Sequence, residues 1–419
     1  MSGSKLKAPR GTFDVLGEQA AARSALEARA RTVLEGAGYE RIETPVFEAT
    51  ELFSRGVGES TDIVRKEMFT FEDAGGRSLT LRPEGTAPVC RAYVEHGMHK
   101  RRQPVKLWYL SSFFRHERAQ AGRYRQFWQI GAEALGSEDP AVDAESIALL
   151  ATVLALEGVR NVRLRLASLG SLQSRSEYRE RLQAHLRAHA GSLSEDVRAR
   201  IDLNPLRAFD SDHPGTQRVM ESAPSLLDHL SAEDAGHFAE VRALLDLASV
   251  PYEVDPTLVR GLDYYTRTVF EFTSDALGAQ SGVGGGGRYD GLVEQLGGKP
   301  TPGMGWAAGI ERIMLAGGPP PAAGTSVELF IALESATAEQ RRAAFKLLSD
   351  ARSAGLTAQL DLGGRSLKGQ LSNAGALGAR FVAILGDGPA TLKDVQGGEQ
   401  AQMPVETVVH AVLRGHHAL

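Results

Sequence analysis

The chain has 419 residues, of which 42% are hydrophobic and 24% are charged, and its net charge is −5. This composition is typical of a folded globular protein and excludes wholesale disorder, and the length predicts two or three domains. A single cysteine excludes a disulfide framework and a cysteine-based zinc site and favours a cytoplasmic location. No apolar run suits a signal peptide or a membrane span, so we expect no membrane partner.

The first part of the chain mixes helices and strands. Apolar residues recur every 3.6 residues from Gln19 to Ala37, which predicts an amphipathic helix. A strand is predicted over Arg41–Glu48, followed by a hairpin over Met68–Arg82 with a glycine turn. A helix is predicted over Thr86–His96.

A second, longer hairpin follows, with strands over Lys106–Arg115 and Gln126–Leu135. Side chains alternate between the two faces of a strand, so residues two positions apart share a face. If the faces of the two strands coincide, they form a polar platform that carries one aromatic ring. The platform residues are Arg115, Glu117, Phe127, Gln129 and Glu133.

Positive charge is concentrated in the same hairpin. The stretch from Lys100 to Arg125 has a net charge of +7, although the whole chain is mildly acidic. Such a patch suits a polyphosphate or a nucleic acid. The alternative is a solvated charged edge strand, which protects a sheet against aggregation. The sequence pattern alone leaves both interpretations open.

The later part of the chain begins with a helical segment. Helical spacing over 168–250 predicts a helical insertion, and strand-like and glycine-rich signals resume from Tyr252 to Gly309. A helix is predicted over Ile310–Leu315, and the sequence GGPPPAAG over Gly317–Gly324 is typical of a linker. Alternating strands and helices beyond it predict a small α/β domain. They are Val327–Ala332, Glu339–Ala354, Thr357–Leu360, Ser366–Leu377 and Phe381–Leu385.

Two further segments carry polar groups that suit a ligand. In LRPEGTA, Glu84 and Thr86 lie beside the start of a helix, where they can hold an ammonium group or simply cap the helix. In LVRGLDYYTRTVFEF, Arg260 precedes the adjacent residues Tyr264 and Tyr265. Arginine suits phosphate oxygens and a tyrosine hydroxyl can orient a polar ring, but a structural tyrosine corner is an equal alternative.

Two glycine-containing segments come next. GVGGGGRYDGL, over Gly282–Leu292, allows close approach of the backbone to a ligand, but it lacks the ending of a P-loop and opens no dinucleotide-binding unit. Arg312 lies in the first turn of a helix, where a cation is unfavourable to the helix dipole, so it is expected to serve a ligand. The histidines show no metal-ligand spacing, and no transition metal is assigned.

Together these segments resemble the histidyl-tRNA synthetase family, a class II aminoacyl-tRNA synthetase family. RIETPVFE, FFRHERAQAGRYRQFWQ and GMGWAAGIERIML resemble the three class II motifs, and LVRGLDYYTRTVFEF and GGGGRYDGL resemble the two histidine-family signatures. The resemblance implies an α+β catalytic domain over 1–316, with an antiparallel sheet flanked by helices and a helical insertion at about 168–250. It further implies a linker at 317–325, an α/β anticodon-binding domain at 326–419, and a homodimer.

The resemblance also implies the reaction and the site residues. L-histidine is activated with ATP and Mg²⁺ to histidyl-adenylate, and the histidyl group passes to the 3′ end of tRNA(His). The residues implied to bind histidine are Glu84, Gly85, Thr86, Gln129, Glu133, Tyr264 and Tyr265. The residues implied to bind ATP are Arg115, Glu117, Arg123, Phe127 and Arg312, with Arg115 and Arg260 as the catalytic pair. The residues implied to contact the tRNA acceptor end are Arg118, Gln120 and Arg125.

Two alternatives share this fold. A regulatory paralogue of histidine biosynthesis would be expected to lose ligand residues and the C-terminal domain, whereas this chain retains both. A synthetase for proline, threonine or glycine would share the three class motifs but not the Arg260–Tyr265 signature. The sequence therefore favours a histidine-specific ligase.

Overall fold

The computed structural model describes residues 5–59, 61–118, 120, 122–258, 260–278, 281–318, 327–335 and 337–416. The chain divides into two units, Met1–Pro321 and Ala322–Leu419. The predicted linker, 317–325, lies almost entirely outside the described residues. No helix among the described residues is long and apolar enough to cross a membrane.

The first unit combines strands and helices. Its strands are β1 (Glu40–Arg41), β2 (Phe47–Ala49), β3 (Phe69–Glu72), β4 (Ser78–Leu81), β5 (Val105–Phe114), β6 (Gln126–Leu135), β7 (Val162–Ser168), β8 (Glu253–Val254), β9 (Thr266–Ser274), β10 (Gly282–Arg288) and β11 (Gly303–Gly309). Its helices are α1 (Gly17–Gly36), α2 (Thr50–Val57), α3 (Thr86–Glu95), α4 (Pro140–Leu156), α5 (Leu172–Ala188), α6 (Glu195–Arg200), α7 (Pro214–Met220), α8 (Ala232–Leu247), α9 (Leu292–Gln295) and α10 (Ile310–Ala316).

An eight-stranded sheet forms the centre of this unit, in the order β1-β5-β6-β11-β10-β9-β7-β8. The six inner strands are antiparallel, and β1 and β8 pair in parallel at the edges. Helices α1, α4 and α8 pack on one face, where Trp108, Ile130 and Phe270 share a core with Leu34 and Ile147. This arrangement confirms the expected antiparallel sheet flanked by helices and leaves the opposite face for the site.

The strand predicted over Arg41–Glu48 is wrong in its extent. The segment divides into β1 and β2, which belong to different sheets, because β2 joins a small sheet of order β2-β4-β3. The Arg82 side chain bonds the carbonyl oxygens of Thr44 and Pro45 at 2.7 and 3.3 Å. Proline also lacks the N–H that a continuous ladder needs, so the strand is interrupted there.

Helices α5 to α8 occupy most of 168–250, in agreement with the helical prediction for this segment. Tyr178, Leu182 and Leu186 of α5 are buried in one hydrophobic cluster with Tyr264 and Tyr265. Helix α5 therefore lies beside the residues that lead into β9, on the face of the sheet that α1, α4 and α8 leave open. Helix α8, the last of this segment, packs on the other face instead, where its Phe238 and Val241 are buried in the core with Ile147.

The second unit contains β12 (Leu329–Leu333), α11 (Ala338–Ser353), β13 (Ala358–Leu360), α12 (Leu367–Ala376), β14 (Phe381–Leu385), β15 (Ala390–Asp394), β16 (Gln400–Met403) and α13 (Val408–His416). Its sheet has the order β13-β12-β14-β15-β16. The first three strands are parallel, as the alternation of strands and helices predicted. The β15–β16 hairpin was not predicted, because both strands are short and largely polar, and α13 was not predicted either.

Candidate active site

A cleft opens on the free face of the large sheet. It encloses about 1030 Å³, including space open to solvent, and its wall is built from five of the segments that the sequence singled out. These are the start of α3, the β5–β6 hairpin, the segment that leads into β9, the glycine-rich strand β10, and β11 with the start of α10. The residues on its wall that the sequence predicted are Glu84, Gly85, Thr86, Arg115, Glu117, Arg123, Phe127, Gln129, Arg260, Tyr264, Tyr265 and Arg312.

The β5–β6 register decides which platform residues meet. Phe113 pairs with Phe127, Ser111 with Gln129 and Leu107 with Glu133, so the two strands present one common face. Phe127 and Gln129 line the cleft, but Glu133 does not, because it is 0% exposed and lies beneath the wall. The platform therefore forms as predicted at its open end and is sealed at its inner end.

Three hydroxyl groups converge on the Glu133 carboxylate. Oε1 accepts hydrogen bonds from Thr86 Oγ1 at 2.8 Å and from the Tyr109 hydroxyl at 3.4 Å, and Oε2 accepts one from the Tyr289 hydroxyl at 2.6 Å. Burial raises the pKa of Glu133 from 4.5 to about 8, although the hydroxyl donors act in the opposite direction. The carboxyl group is therefore largely protonated at neutral pH, and Thr86 and Tyr109 connect it to the cleft.

This raised pKa predicts a stability that depends on pH. Between pH 4.5 and 8 the folded chain keeps a proton that the unfolded carboxylate has lost, so Glu133 makes the free energy of unfolding fall as pH rises. Glu133→Gln should flatten this decline by about 1.4 kcal/mol per pH unit in that window, measured by urea unfolding at several pH values. The exposed Glu294→Gln is the matched control. An unchanged slope in Glu133→Gln would contradict the assignment of the proton.

Glu84 caps helix α3 from inside the cleft. Its carboxylate accepts hydrogen bonds from the backbone N–H groups of Thr86 at 2.7 Å and Ala87 at 3.0 Å. Burial raises the pKa of Glu84, and the two backbone donors lower it. The same carboxylate lies 3.5 Å from the Tyr264 hydroxyl. Both carboxylate oxygens therefore cap the helix, and Oε2 also accepts from a tyrosine of the cleft wall, so the cap lies at the cleft itself.

The two adjacent tyrosines form the inner wall with Arg260. The rings of Tyr264 and Tyr265 lie 4.8 Å apart between centroids, and both are buried. Arg260 Nη1 donates a hydrogen bond to Glu271 Oε1 at 2.8 Å. Its buried Nε has no hydrogen-bond partner in the described part of the chain. The Gln129 Oε1 atom is also buried without a partner among the described residues, so both a donor and an acceptor are unused at the cleft.

The glycines of β10 and β11 make room for these side chains. A β-carbon at Gly305 would overlap the Glu133 carboxylate, and one at Gly287 would lie 3.0 Å from the Tyr265 ring. A β-carbon at Gly285 would lie 3.1 Å from Arg260 Nη2. The glycine-rich run therefore allows buried polar groups of the protein itself to lie against the sheet.

Cationic and aromatic groups line the outer end of the cleft. Arg115 Nε donates to the carbonyl oxygen of Pro83 at 2.9 Å, and its guanidinium lies 5.4 Å from the centre of the Phe127 ring. Arg123 Nη1 lies 3.3 Å from Glu117 Oε2. Arg312, in the first turn of α10, donates through Nε to the carbonyl oxygen of Gly282. These contacts orient the part-buried guanidinium groups of Arg115 and Arg312, as the binding of a polyphosphate requires, whereas Arg123 is exposed.

The loop of the β5–β6 hairpin carries the three residues that were predicted to contact the tRNA acceptor end, and these residues differ in exposure. Arg118 and Gln120 are exposed, whereas Arg125 is half-buried. Arg125 Nε donates to the carbonyl oxygen of Glu117 at 3.4 Å, and its side chain lies against Gly11. The structure therefore leaves Arg118 and Gln120 accessible and uses Arg125 to attach the N-terminal segment. Neighbouring Ala119 lies outside the described residues.

Comparison with known proteins assigns both units. A family model described as histidyl-tRNA synthetase matches residues 11–313, and one described as an anticodon binding domain matches residues 329–414. The chain belongs to the histidyl-tRNA synthetase family. As a member of this family it is an aminoacyl-tRNA synthetase, a class of ligase that uses ATP.

Histidyl-tRNA synthetases of known sequence and structure match along the whole chain. A histidine–tRNA ligase of Desulforamulus reducens is 47% identical over 409 residues, 96% of this chain and 97% of that protein. Another, of Halorhodospira halophila, is 48% identical over 425 residues and covers 99% of each. The crystal structure of apo histidyl-tRNA synthetase from S. aureus has a TM-score of 0.81 at 35% identity, covering 97% of this chain and 100% of that one. These relatives favour neither the regulatory paralogue nor a synthetase for another amino acid.

Several cleft residues of this synthetase were not predicted. Tyr109 lies on β5 with the same parity as Phe113, so the alternation of the strand could have identified it. Glu271 lies on the face of strand β9 that lines the cleft, and it accepts a hydrogen bond from Arg260. Glu311 accepts a hydrogen bond from the backbone of Trp128, and no local pattern marks it because its partner is 183 residues away.

Proposed function

We propose that the cleft is where this chain activates L-histidine with ATP before it transfers the histidyl group to tRNA(His). The chain is a histidine–tRNA ligase by family. One observation carries the assignment of the site. A single cleft has buried tyrosines and carboxyl groups at its inner end and fixed arginines at its outer end. These two ends suit an amino acid and a nucleotide triphosphate, respectively.

The inner end is assigned to histidine. Glu84 and the unused Gln129 Oε1 are acceptors for the α-ammonium group, and Gly85 and Thr86 complete that side of the cleft. Tyr265 is assigned to the imidazole ring, with Tyr264 alongside, and Glu133, which the wall covers, is proposed to act on the ring through the Thr86 and Tyr109 hydroxyls that it binds. An imidazole has two ring nitrogens, so amino acids that lack them would leave these buried polar groups unpaired. This penalty discriminates against other amino acids without an editing step.

The outer end is assigned to ATP. Phe127 and Arg312 are proposed to hold the adenine ring between them, and Arg123 to contact the outer phosphates. Arg115 at the outer end and Arg260 on the inner wall are proposed to bind the α-phosphate from opposite sides, where the two ends of the cleft meet. The histidine carboxylate attacks the α-phosphorus and pyrophosphate leaves, so negative charge spreads over oxygens that the two guanidinium groups can stabilise.

The residues present also fit a magnesium ion held mainly by the substrate. No group of three or more His, Cys, Asp or Glu within the described ranges could hold a metal. Mg²⁺ commonly binds through one or two carboxylates and substrate phosphates, and Glu117 lies on the cleft wall beside Arg115 and Arg123. We assign Glu117 to this contact. When bound, the ion would neutralise charge on the phosphate oxygens.

Histidine-dependent exchange of pyrophosphate with ATP tests the activation step. We expect exchange with L-histidine and with no other proteinogenic amino acid. Tyr265→Phe should raise the histidine KM by about tenfold and leave the ATP KM unchanged, because a hydroxyl at the inner end is lost. Exchange with another amino acid, or none with histidine, would refute the proposed specificity.

Transfer to tRNA can be separated from activation. Arg118 and Gln120 are exposed beside the outer end, and Arg125 lies in the same loop, so we propose that this loop contacts the acceptor end. Arg118→Ala combined with Gln120→Ala should lower the rate of tRNA(His) charging by about tenfold, since phosphate contacts are lost, and leave pyrophosphate exchange intact. Equal losses in tRNA charging and pyrophosphate exchange would indicate that the loop contacts ATP rather than tRNA.

The chain is further proposed to act as a cytoplasmic homodimer. The small sheet exposes Phe47 and Phe71, and the two phenylalanine rings lie 6.1 Å apart between centroids. A contiguous exposed apolar face of this kind suits an interface between two copies. Sedimentation equilibrium should give twice the mass of the chain, and Phe47→Glu should yield monomers; a monomeric native protein would contradict this proposal.

A further inference from the structure

The segment that carries Tyr264 and Tyr265 has no strand partner of its own. It lies just before β9, and both tyrosine side chains are buried in one hydrophobic cluster with residues of helix α5. Buried carbonyl groups require a donor, and a segment outside the sheet cannot obtain one from the ladder. The position of both tyrosine rings therefore depends on what bonds this backbone.

Arg175 of helix α5 supplies that donor. Its Nη1 atom donates to the carbonyl oxygen of Asp263 at 2.7 Å and to that of Tyr265 at 2.9 Å. The two carbonyls flank Tyr264, so one guanidinium group holds the backbone on both sides of it. From the same insertion, Asn204 Nδ2 donates to Asp263 Oδ1 at 3.0 Å.

The end of α5 is itself attached to the residues that follow the tyrosines. Asp234 accepts hydrogen bonds from the Ser171 backbone at 2.9 Å and from Ser174 Oγ at 2.7 Å, and through its other oxygen from Arg267 Nε at 3.1 Å. Arg267 has a φ of 45° and lies in a bulge of β9, a conformation that costs energy for a residue other than glycine. The same helix end therefore holds the tyrosine segment from both sides.

Local helix formation gives no reason for an arginine at this place. Arg175 lies near the N-terminus of α5, where the helix dipole disfavours a cation. Burial also lowers the pKa of its guanidinium, which shows that its desolvation is costly. The contacts to the tyrosine segment are what offset these costs.

We propose that Arg175 is a positioning residue for histidine recognition, which holds the backbone of Asp263 and Tyr265 so that both tyrosine rings form the inner wall of the cleft. This inference rests on the proposed role of the tyrosines. Arg260, in the same segment, is held by Glu271 of β9. Loss of Arg175 therefore acts mainly on the amino acid and less on the phosphate chemistry.

The test measures pyrophosphate exchange by the full-length Arg175→Met variant. Methionine has a long, unbranched side chain like that of arginine but no hydrogen-bond donors. The histidine KM should rise about tenfold, with the ATP KM within about twofold of the native value, because two hydrogen bonds from a charged donor are lost. Arg175→Lys should restore most of the histidine affinity. Arg179→Met is the matched control, since Arg179 lies one turn further along α5 and bonds the carbonyls of Asp202 and Leu203 instead.

A merely structural role would lower the melting temperature and the fraction of active protein without changing either KM, and that result would overturn the proposal. An equal rise in both KM values would overturn it as well. If Arg175→Met is recovered unfolded, Arg175→Gln, which can reach one carbonyl, decides the question by the same two KM values. Tyr265→Phe separates the hypotheses: if it raises the histidine KM and the Arg175 variants do not, only this inference fails.

Discussion

Replacing Arg260 by histidine is expected to slow formation of histidyl-adenylate by about 100- to 1000-fold while histidine binding weakens by less than about threefold. The guanidinium of Arg260 is held by Glu271 and retains a buried Nε–H without a partner in the described structure. We assign that free donor capacity to charge that develops on the α-phosphate. An imidazole is shorter and cannot both reach Glu271 and present a second donor to the phosphate.

Single-turnover measurement of adenylate formation, together with equilibrium dialysis of histidine, separates the two effects. A group that acts in the transition state lowers the rate and leaves ground-state binding nearly unchanged. Arg163→His is the control. Arg163 lies on the neighbouring strand β7 and forms an exposed ion pair with Asp275. If Arg260→His weakened histidine binding and the rate by the same factor, Arg260 would be a binding residue only.

Gly305→Ala is expected to abolish most histidine activation, with a loss in kcat/KM for histidine of about 100-fold or more. The added β-carbon would overlap the Glu133 carboxylate and lie 2.8 Å from the carbonyl oxygen of Ala132. The backbone carbonyl leaves little room on one side, so the Glu133 carboxyl group is expected to shift and its hydrogen bonds with the three hydroxyl groups to be disturbed. Overpacking of this kind costs about 1 to 3 kcal/mol of stability as well.

Thermal unfolding and pyrophosphate exchange measure the two effects of Gly305→Ala. Gly236→Ala is the control, since a β-carbon at Gly236 in helix α8 meets nothing within 4 Å. That change should raise stability by about 0.5 to 1 kcal/mol and leave the kinetics unchanged, because alanine favours a helix interior. Native histidine kinetics in Gly305→Ala would show that the position of Glu133 is unimportant for recognition.

Strand alternation explains why much of the cleft was predictable. Phe127, Gln129 and Glu133 were placed on one face because the two-residue period of a strand is a local property. The hairpins and the first three strands of the second unit follow from similar short patterns. The prediction failed over Arg41–Glu48, where the Arg82 side chain, distant in sequence, takes carbonyls that a continuous strand would use.

The sequence by itself determined the two hairpins, the first three strands of the second unit, the signature segments and the cluster of positive charge at the second hairpin. Only the tertiary structure decided which carboxyl group is sealed beneath the cleft, and that Arg175 bonds the tyrosine segment. Glu133 has partners 47, 24 and 156 residues away, and Arg175 bonds carbonyls 88 and 90 residues away. Burial, and with it the pKa of Glu133, arises from these long-range contacts, which no local spacing of residue types contains.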